Sequence, residues 1–270
     1  MCCCLFNFDA NAQSMTIEEV IVSAEKREES LQDISQSVTA LTEEELETKN
    51  ITDFVGLSAI APGVTVAKNE GYKTIISIRG VGNETNQNAI AAPSVAYHMD
   101  GVFIASPFAL GTDFLDVERI EVLRGPQGTL FGQNSTGGAV NVISKAPSMD
   151  GGSGRMNVTF GDYNLRKVST SNNFVVNDKI ATRFSLSSST RDGFTKNIYT
   201  GQDLDDDNSK SFRTDWMFNL KDTSSLRVIG QYFKVDRNGA AIRGIDDPVS
   251  YTHLRAHETD SYLVCRLLLE

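Results

Sequence analysis

Cysteine and histidine are the residue types best suited to nucleophilic or metal chemistry, and their placement in this chain argues against both. Cys2, Cys3 and Cys4 crowd one end and Cys265 lies at the other, while His98 stands alone between residues 13 and 248, with His253 and His257 beyond. An activated nucleophile needs a base within hydrogen-bond reach, and a structural zinc site needs four N or S ligands. The body of the chain therefore has no disulfide framework, no Cys/His zinc site and no Cys/His pair. We expect no enzyme, no catalytic residue, no cofactor and no metal centre. His253-x-x-x-His257-Glu258 has ligand-like spacing but lacks a visible third ligand, so chance spacing is the better reading. Asp203-x-Asp205-x-Asp207 imitates a calcium loop, yet Asn208 stands where the sharp-turn glycine belongs and Thr214 where the bidentate Glu belongs. It reads as a solvated loop, with loose divalent-cation binding as the lesser alternative. Gly125, Gly128, Gly132, Gly137 and Gly138 invite a phosphate-loop reading, but Ala139-Val140 follow where Lys and Ser or Thr are required. Gly80-x-Gly82-x-x-Thr85 likewise lacks the third glycine of the dinucleotide fingerprint, which leaves turn chemistry.

Composition narrows the partners. The chain has 270 residues, 40% hydrophobic, with 25 basic residues against 35 acidic and a net charge of −10. Binding to a polyphosphate backbone depends on Lys and Arg neutralising phosphates, so nucleic acid is excluded as a partner. The uncharged apolar runs at residues 90–96 and 102–105 fall far short of the roughly 18 residues a membrane-spanning helix requires.

The elements that must position any site fall into three regimes between two atypical ends. Residues 1–12 read as a damaged or truncated signal peptide, with Ala10-Asn11-Ala12 resembling a cleavage site but no basic residue ahead of the apolar stretch. Residues 13–33 mix the β-prone run Val20-Ile21-Val22 with the charged run Glu25-Lys26-Arg27-Glu28-Glu29, and read as an exposed, largely extended leader. Residues 34–147 alternate strand and helix signals. A strand at 37–41 leads into Thr42-x-x-Glu45, a capping box, and Thr52-Asp53 opens a second short helix ended by Pro62-Gly63. Strands are expected at 74–79, 94–104 with Asp100-Gly101 as the turn, 119–123 and 139–144.

After Pro147 the helix signals stop. Met156, Val158 and Phe160 alternate with Asn157 and Thr159; Phe184 and Leu186 alternate with Arg183, Ser185 and Ser187. Phe212, Trp216, Phe218 and Leu220 share one face, opposite Arg213, Asp215 and Asn219. Strands of about ten residues with one apolar and one polar face fit an outer-membrane barrel, and a half-buried soluble sheet gives the same alternation. Tight connections at 176–179 and 221–224 contrast with a long acidic one at 193–209, which favours the barrel. Residues 249–270 differ in composition from everything before them and are expected to be a non-native tail.

These residues resemble the TonB-dependent outer-membrane receptors. Glu18, Glu19, Val20, Ile21, Val22 and Ser23 resemble the energy-coupling TonB box; Ile78-Arg79-Gly80 resembles a central "IRG" strand and Tyr97-His-Met-Asp-Gly-Val102 a "Y.DGV" hairpin. The longest match runs from Val117-Glu-Arg-Ile-Glu-Val-Leu-Arg-Gly-Pro to Gly-Gly-Ala-Val-Asn-Val-Ile-Ser-Lys145. The resemblance implies an α+β plug domain at 34–147, followed at 148–248 by the first four or five antiparallel strands of a truncated transmembrane β-barrel. It implies a place in the cell outer membrane and import of a scarce small-molecule ligand, by default an iron-siderophore complex, with cobalamin, haem and oligosaccharide open. The implied partner is TonB with its inner-membrane energising complex. A surface interaction or signalling module of plug type, without transport, is the alternative.

Three groups of residues follow from this reading. Val20-Ile21-Val22, unpaired in an exposed leader, could add as a strand to a partner sheet, or could be an ordinary first strand of the plug. Arg79, Glu118, Arg119, Glu121 and Arg124 form a charged face that the resemblance pairs with a barrel wall. Outward plug loops would meet ligand through Asn83, Glu84, Thr85, Asn86, Gln87 and Asn88, and through Phe103, Ser106 and Phe108. Single-chain barrels begin at eight strands, so this stretch is not expected to transport alone.

Overall fold

The computed structural model describes residues 21–22, 29–30, 34, 36–69, 73–82, 93–106, 110–197, 200–221, 224–239 and 258–269. In the leader, β1 (Ile21–Val22) pairs antiparallel with β2 (Glu29–Ser30), Ile21 opposite Ser30. Val22 is fully buried in an apolar cluster with Ala96, Leu123, Phe131 and Ala139. The expected unpaired, exposed strand is thus corrected at these two residues. A β-branched run with free backbone donors folds back on its own chain, and burying Val22 gains apolar contact that an extended leader forgoes. The remaining box positions, Glu18, Glu19, Val20 and Ser23, lie outside the described residues.

The mixed domain begins at β3 (Val38–Thr42) and passes through the capping box into α1 (Glu43–Thr48). Thr42 N donates to Glu45 Oε2 at 3.1 Å, and Glu45 N donates to Thr42 Oγ1 at 3.3 Å, so two helix-end donors are satisfied reciprocally. Gly56 N donates to Asp53 Oδ1 at 3.0 Å ahead of α2 (Leu57–Ile60). The hairpin of β4 (Val64–Asn69) and β5 (Lys73–Ile78) follows; β4 was not expected from sequence. Next come β6 (Val95–Met99) and β7 (Val102–Phe103), joined by Asp100 at φ 48° and Gly101 at φ 72°. This left-handed pair is what a two-residue Asp-Gly hairpin turn requires. Then β8 (Val117–Arg124), α3 (Gly128–Phe131) and β9 (Gly138–Ser144) complete the domain.

Its main sheet has the order β3-β8-β9-β6-β7, with β6 parallel to β9 and the other neighbours antiparallel. One face buries Ile120, Val122, Val140 and Val142 against Phe54 and Leu57. The ring of Phe54 meets Tyr97 edge-on at 5.0 Å and Phe114 at 4.7 Å. Gly138 sits at φ 147°, and a Cβ there would lie 2.3 Å from the Leu123 carbonyl oxygen.

The second unit is one long antiparallel sheet. Its strands are β10 (Ser153–Gly161), β11 (Leu165–Asn177) and β12 (Ile180–Arg191), then β15 (Asp207–Lys221), β16 (Ser224–Arg237) and β17 (Glu258–Leu269), in that spatial order. A small hairpin of β13 (Thr195–Lys196) and β14 (Asp203–Leu204) folds the long connection between β12 and β15. Five strands precede residue 240, as expected. The sixth, β17, comes from the stretch read as a foreign tail; its backbone pairs along β16, whose open edge offers a row of unpaired donors and acceptors to a β-prone run.

Burial alternates along β12 and β15. On β12 Ser185, Ser187 and Ser189 are buried while Leu186 is 44% exposed; on β15 Ser211, Arg213 and Asp215 are buried while Phe212 is 42% exposed. On these two strands the polar face therefore turns inward and the apolar face outward, the reverse of a water-soluble sheet. Phe174, Phe184, Trp216 and Phe218 form a row of ring contacts at the end nearest the short turns, with centroids 6.1, 5.9 and 6.3 Å apart.

Candidate functional site

The polar face of the long sheet is seated on the mixed domain through a set of ion pairs in which the sheet supplies the cations. Asp116 occupies a left-handed conformation, φ 55°, immediately before β8, and its carbonyl accepts from Lys145 N at 3.0 Å. This aims its carboxylate at β12. Arg183 Nη2 donates to Asp116 Oδ1 at 2.7 Å, its Nε engages Oδ2, and Ser185 Oγ donates to Oδ2 at 2.7 Å. Burial pushes the Asp116 carboxyl up, but the hydrogen bonds from Arg183 and Ser185 outweigh it and hold the group below the usual carboxylate range.

The Asp-Gly turn between β6 and β7 makes the second contact. Asp100 Oδ2 accepts from Arg213 Nη2 at 2.7 Å, while its Oδ1 accepts from Ser144 N at 2.9 Å and Ser144 Oγ at 2.7 Å. Arg213 is itself flanked by Asp215 at 3.5 Å, and Asp215 also pairs with Arg227 at 2.7 Å. The cluster alternates in sign, so each buried charge faces an opposite one, as burial of charge demands.

Further contacts extend the seam. Lys167 Nζ lies 3.1 Å from Asp113 Oδ2, and burial nevertheless pushes the Asp113 carboxyl up against the opposing pull of Lys167. Arg237 Nη2 donates to the Gly111 carbonyl at 2.9 Å. Arg155 on β10 reaches Glu43 at 2.9 Å and also Glu47, both on α1. Asn173 fastens the connecting segment, donating to the carbonyls of Ser148 and Gly151 at 2.8 Å each and accepting from Ser148 N at 3.0 Å. Between α1, Phe114, Leu115 and the inner face of β10 and β11 the seam opens into a cavity of about 690 Å³.

The charged residues singled out from sequence sit elsewhere. Arg79 is exposed at the end of β5, at φ 52°, its N donating to the Gly63 carbonyl at 2.7 Å. Arg119 pairs with Glu118, and its Nε with Glu121 Oε1 at 3.0 Å; the fully buried Glu121 also accepts from Asn141 Nδ2 at 3.1 Å. Arg124 donates to the Pro62 carbonyl at 3.0 Å, to Ser37 Oγ at 3.2 Å and to Thr39 Oγ1. These bonds stay within the mixed domain. The acids that do meet the sheet, Asp100, Asp113, Asp116, Glu43 and Glu47, were not singled out. The signal that could have found them is Arg or Lys at inward positions of otherwise serine-rich strands, which demands carboxylates opposite.

Of the expected ligand-loop residues, Asn83, Glu84, Thr85, Asn86, Gln87, Asn88 and Phe108 lie outside the described residues. Phe103 is partly buried on β7, its ring 5.6 Å from that of His98, and the Ser106 hydroxyl has no hydrogen-bond partner among the described residues. In the acidic loop Asp206 accepts from Asn238 N at 2.6 Å and Asp207 from Arg237 Nε at 2.8 Å. Among the described residues no group of His, Cys, Asp and Glu is placed to hold a metal, and no helix is long and apolar enough to cross a membrane.

Residues 30–139 match the family model of the TonB-dependent receptor plug domain. The mixed domain is therefore of the TonB-dependent receptor plug type. It is 31% identical over 143 residues to the pesticin receptor of Yersinia pestis, covering 51% of this chain and 20% of that protein. It is 30% identical over 148 residues to the iron-regulated outer membrane virulence protein of Vibrio cholerae, covering 52% and 22%. Among solved structures, the ferric yersiniabactin uptake receptor of Yersinia pestis superposes with a TM-score of 0.69 at 22% identity, covering 76% of this chain and 32% of that one. The pyoverdine-bound receptor of Pseudomonas aeruginosa superposes with the same TM-score, 0.69, at 15% identity, covering 92% and 33%. The chain thus spans about a fifth of the length of the curated relatives it matches. The mixed domain is the plug domain of that match, and the long sheet has the fold of strands in the barrels of these receptors.

Proposed function

We propose that this chain supplies the plug and opening wall of an outer-membrane receptor that imports a scarce ligand, an iron-siderophore complex being the first candidate. One observation carries the reading: a plug is held by the Asp116–Arg183 and Asp100–Arg213 pairs against a sheet that is polar toward it and apolar away from it. Such a sheet is built for lipid on one side and an enclosed domain on the other. The iron-regulated outer membrane virulence protein and the ferric yersiniabactin uptake receptor among the relatives support the iron-chelate assignment; the vitamin B12 transporter of Vibrio vulnificus, 30% identical over 145 residues, supports cobalamin as the competitor.

The described sheet is open, with β10 and β17 at its edges, so import belongs to a receptor whose wall has further strands. In that receptor the leader around Glu18, Glu19, Val20 and Ser23 engages TonB, and the exposed Arg79 and half-exposed Glu118 face the wall beyond β17. The loop at 83–88, with Phe103, Ser106 and Phe108, meets the ligand. The chain acts by binding and conformational change, not by bond chemistry.

The test is Val20→Pro in the receptor, which removes a backbone donor from the strand that would add to TonB. Ferric-siderophore binding to cells should persist while energy-dependent uptake falls to background. Loss of binding together with uptake would count against the box.

A further inference from the structure

Lys210 on β15 and Lys234 on β16 stand directly opposite each other in the register of the sheet. Both point outward, because Ser209, Ser211 and Phe233, their neighbours on the opposite face, are buried. Like charges directly opposite on one face of a sheet repel. Among the described residues neither lysine makes an ion pair; Asp236, two residues beyond Lys234 on the same face, makes none either. A repelling pair of this kind is relieved by an anion shared between the two ammonium groups.

The surroundings define the anion. One step down the same face, Phe212 stands opposite Tyr232, 42% and 39% exposed, with Leu186 beside Phe212 in the register. Below them lies the aromatic row of Phe184, Trp216 and Phe218. On the other side of the lysines β15 runs back to the long connection at 192–206. The lysines therefore mark the rim of the apolar band at the long-loop end, where hydrocarbon gives way to headgroups, and their stems lie along apolar surface while the ammonium groups reach polar surroundings.

We infer that Lys210 and Lys234 together bind a phosphate of an outer-leaflet lipid headgroup, with the acyl chains lying against Phe212, Tyr232 and Leu186. This rests on the reading of the long sheet as outer-membrane wall with its long loop outside. The match is one of charge and of position: two cations share a dianionic group, directly above an apolar surface that takes the chains.

The test uses the full chain in detergent micelles, with diphosphorylated lipid A as the probe and dephosphorylated lipid A and inorganic phosphate as separate arms. The wild type should bind the diphosphorylated lipid, and K210Q/K234Q should bind it about tenfold more weakly. K221Q, at the opposite end of β15, should bind as the wild type does. K234E should raise the melting temperature in lipid-free detergent, because it turns repulsion into attraction, and should weaken lipid binding as much as the double variant. Equal affinity of wild type and K210Q/K234Q overturns the inference. Equally strong binding of inorganic phosphate or of the dephosphorylated lipid overturns the lipid-phosphate assignment. A chain that takes up no detergent overturns the wall reading and this site with it, and that result appears before any lipid is added.

Discussion

Arg183 and Asp116, 67 residues apart in sequence, meet through a two-pronged contact in which one guanidinium spans both oxygens of one carboxylate. Ser185, two residues along the same strand, adds a third donor to that carboxylate. The plug contributes a residue whose backbone is already turned into the left-handed region, so the carboxylate is aimed before the wall arrives. A buried pair of this kind is costly to break on one side, because the remaining charge keeps its burial and loses its partner.

Asp116→Asn should therefore destabilise the seating of plug on wall by about 3–5 kcal/mol. Arg183→Gln should cost a similar amount, and the double variant less than the sum. Amide exchange at residues 110–118 in the detergent-solubilised chain reads the effect: faster exchange there in each single variant, with additive rates in the double variant contradicting the coupling.

The two neighbouring acids should titrate apart. Asp116 is held below its ordinary value, so its contribution is fully present above about pH 3.9 and is lost only as pH falls through the lowered folded value. Asp113 is raised, so the folded state binds its proton more tightly than the unfolded chain and gains stability as pH falls through the folded value. Carboxyl-carbon NMR should show Asp113 protonating at higher pH than Asp116; the opposite order would mean that the Arg183 contact is absent in solution.

Gly138→Ala should prevent the plug sheet from closing. The added carbon would meet the Leu123 carbonyl at 2.3 Å, and the φ of 147° is one that a side chain rarely adopts. A loss of about 3 kcal/mol or more is expected in urea unfolding. Gly80→Ala meets nothing within 4 Å, so its cost should come from its φ of 76° alone and be smaller.

On the outer face, Trp216→Arg, midway along β15 between Lys210 and Lys221, should cost about 2–4 kcal/mol, the range for a cation near the bilayer midplane. Folding yield into short-chain lipid vesicles, followed by tryptophan-independent circular dichroism, measures it. A variant that folds into vesicles as readily as the wild type would remove Trp216 from the lipid-facing surface.

What the sequence disclosed was local or periodic. Thr42 and Glu45 announce the start of α1 because both partners of the capping box lie within one turn, and Asp100-Gly101 announces its hairpin because the turn geometry selects those residues. The alternation on β15 exposes its two faces directly. β4 escaped notice although its partner β5 was expected, because its β-prone start, Val64-Thr-Val66, follows directly on the Pro62-Gly63 stop and gives way to polar Lys68 and Asn69. The burial of Val22 was hidden by the dense charges at 25–29, which dominate the polarity of the leader. The plug–wall pairs were illegible for a different reason: an inward Arg or Lys declares that an acid must exist, and only tertiary geometry says which.

Asn173 ties the chain just beyond β9 to the wall, while the leader enters at the opposite end of β3. Val38 lies level with Leu123, and Ser144 with Val117, at the two ends of β8. Traction ahead of Val38 is therefore resisted along the strand axes, loading the β3–β8 bonds in parallel instead of peeling them one at a time. A pull transmitted to Val38 along β3 would reach the body of the stopper as a shear, with its rear corner held by Asn173.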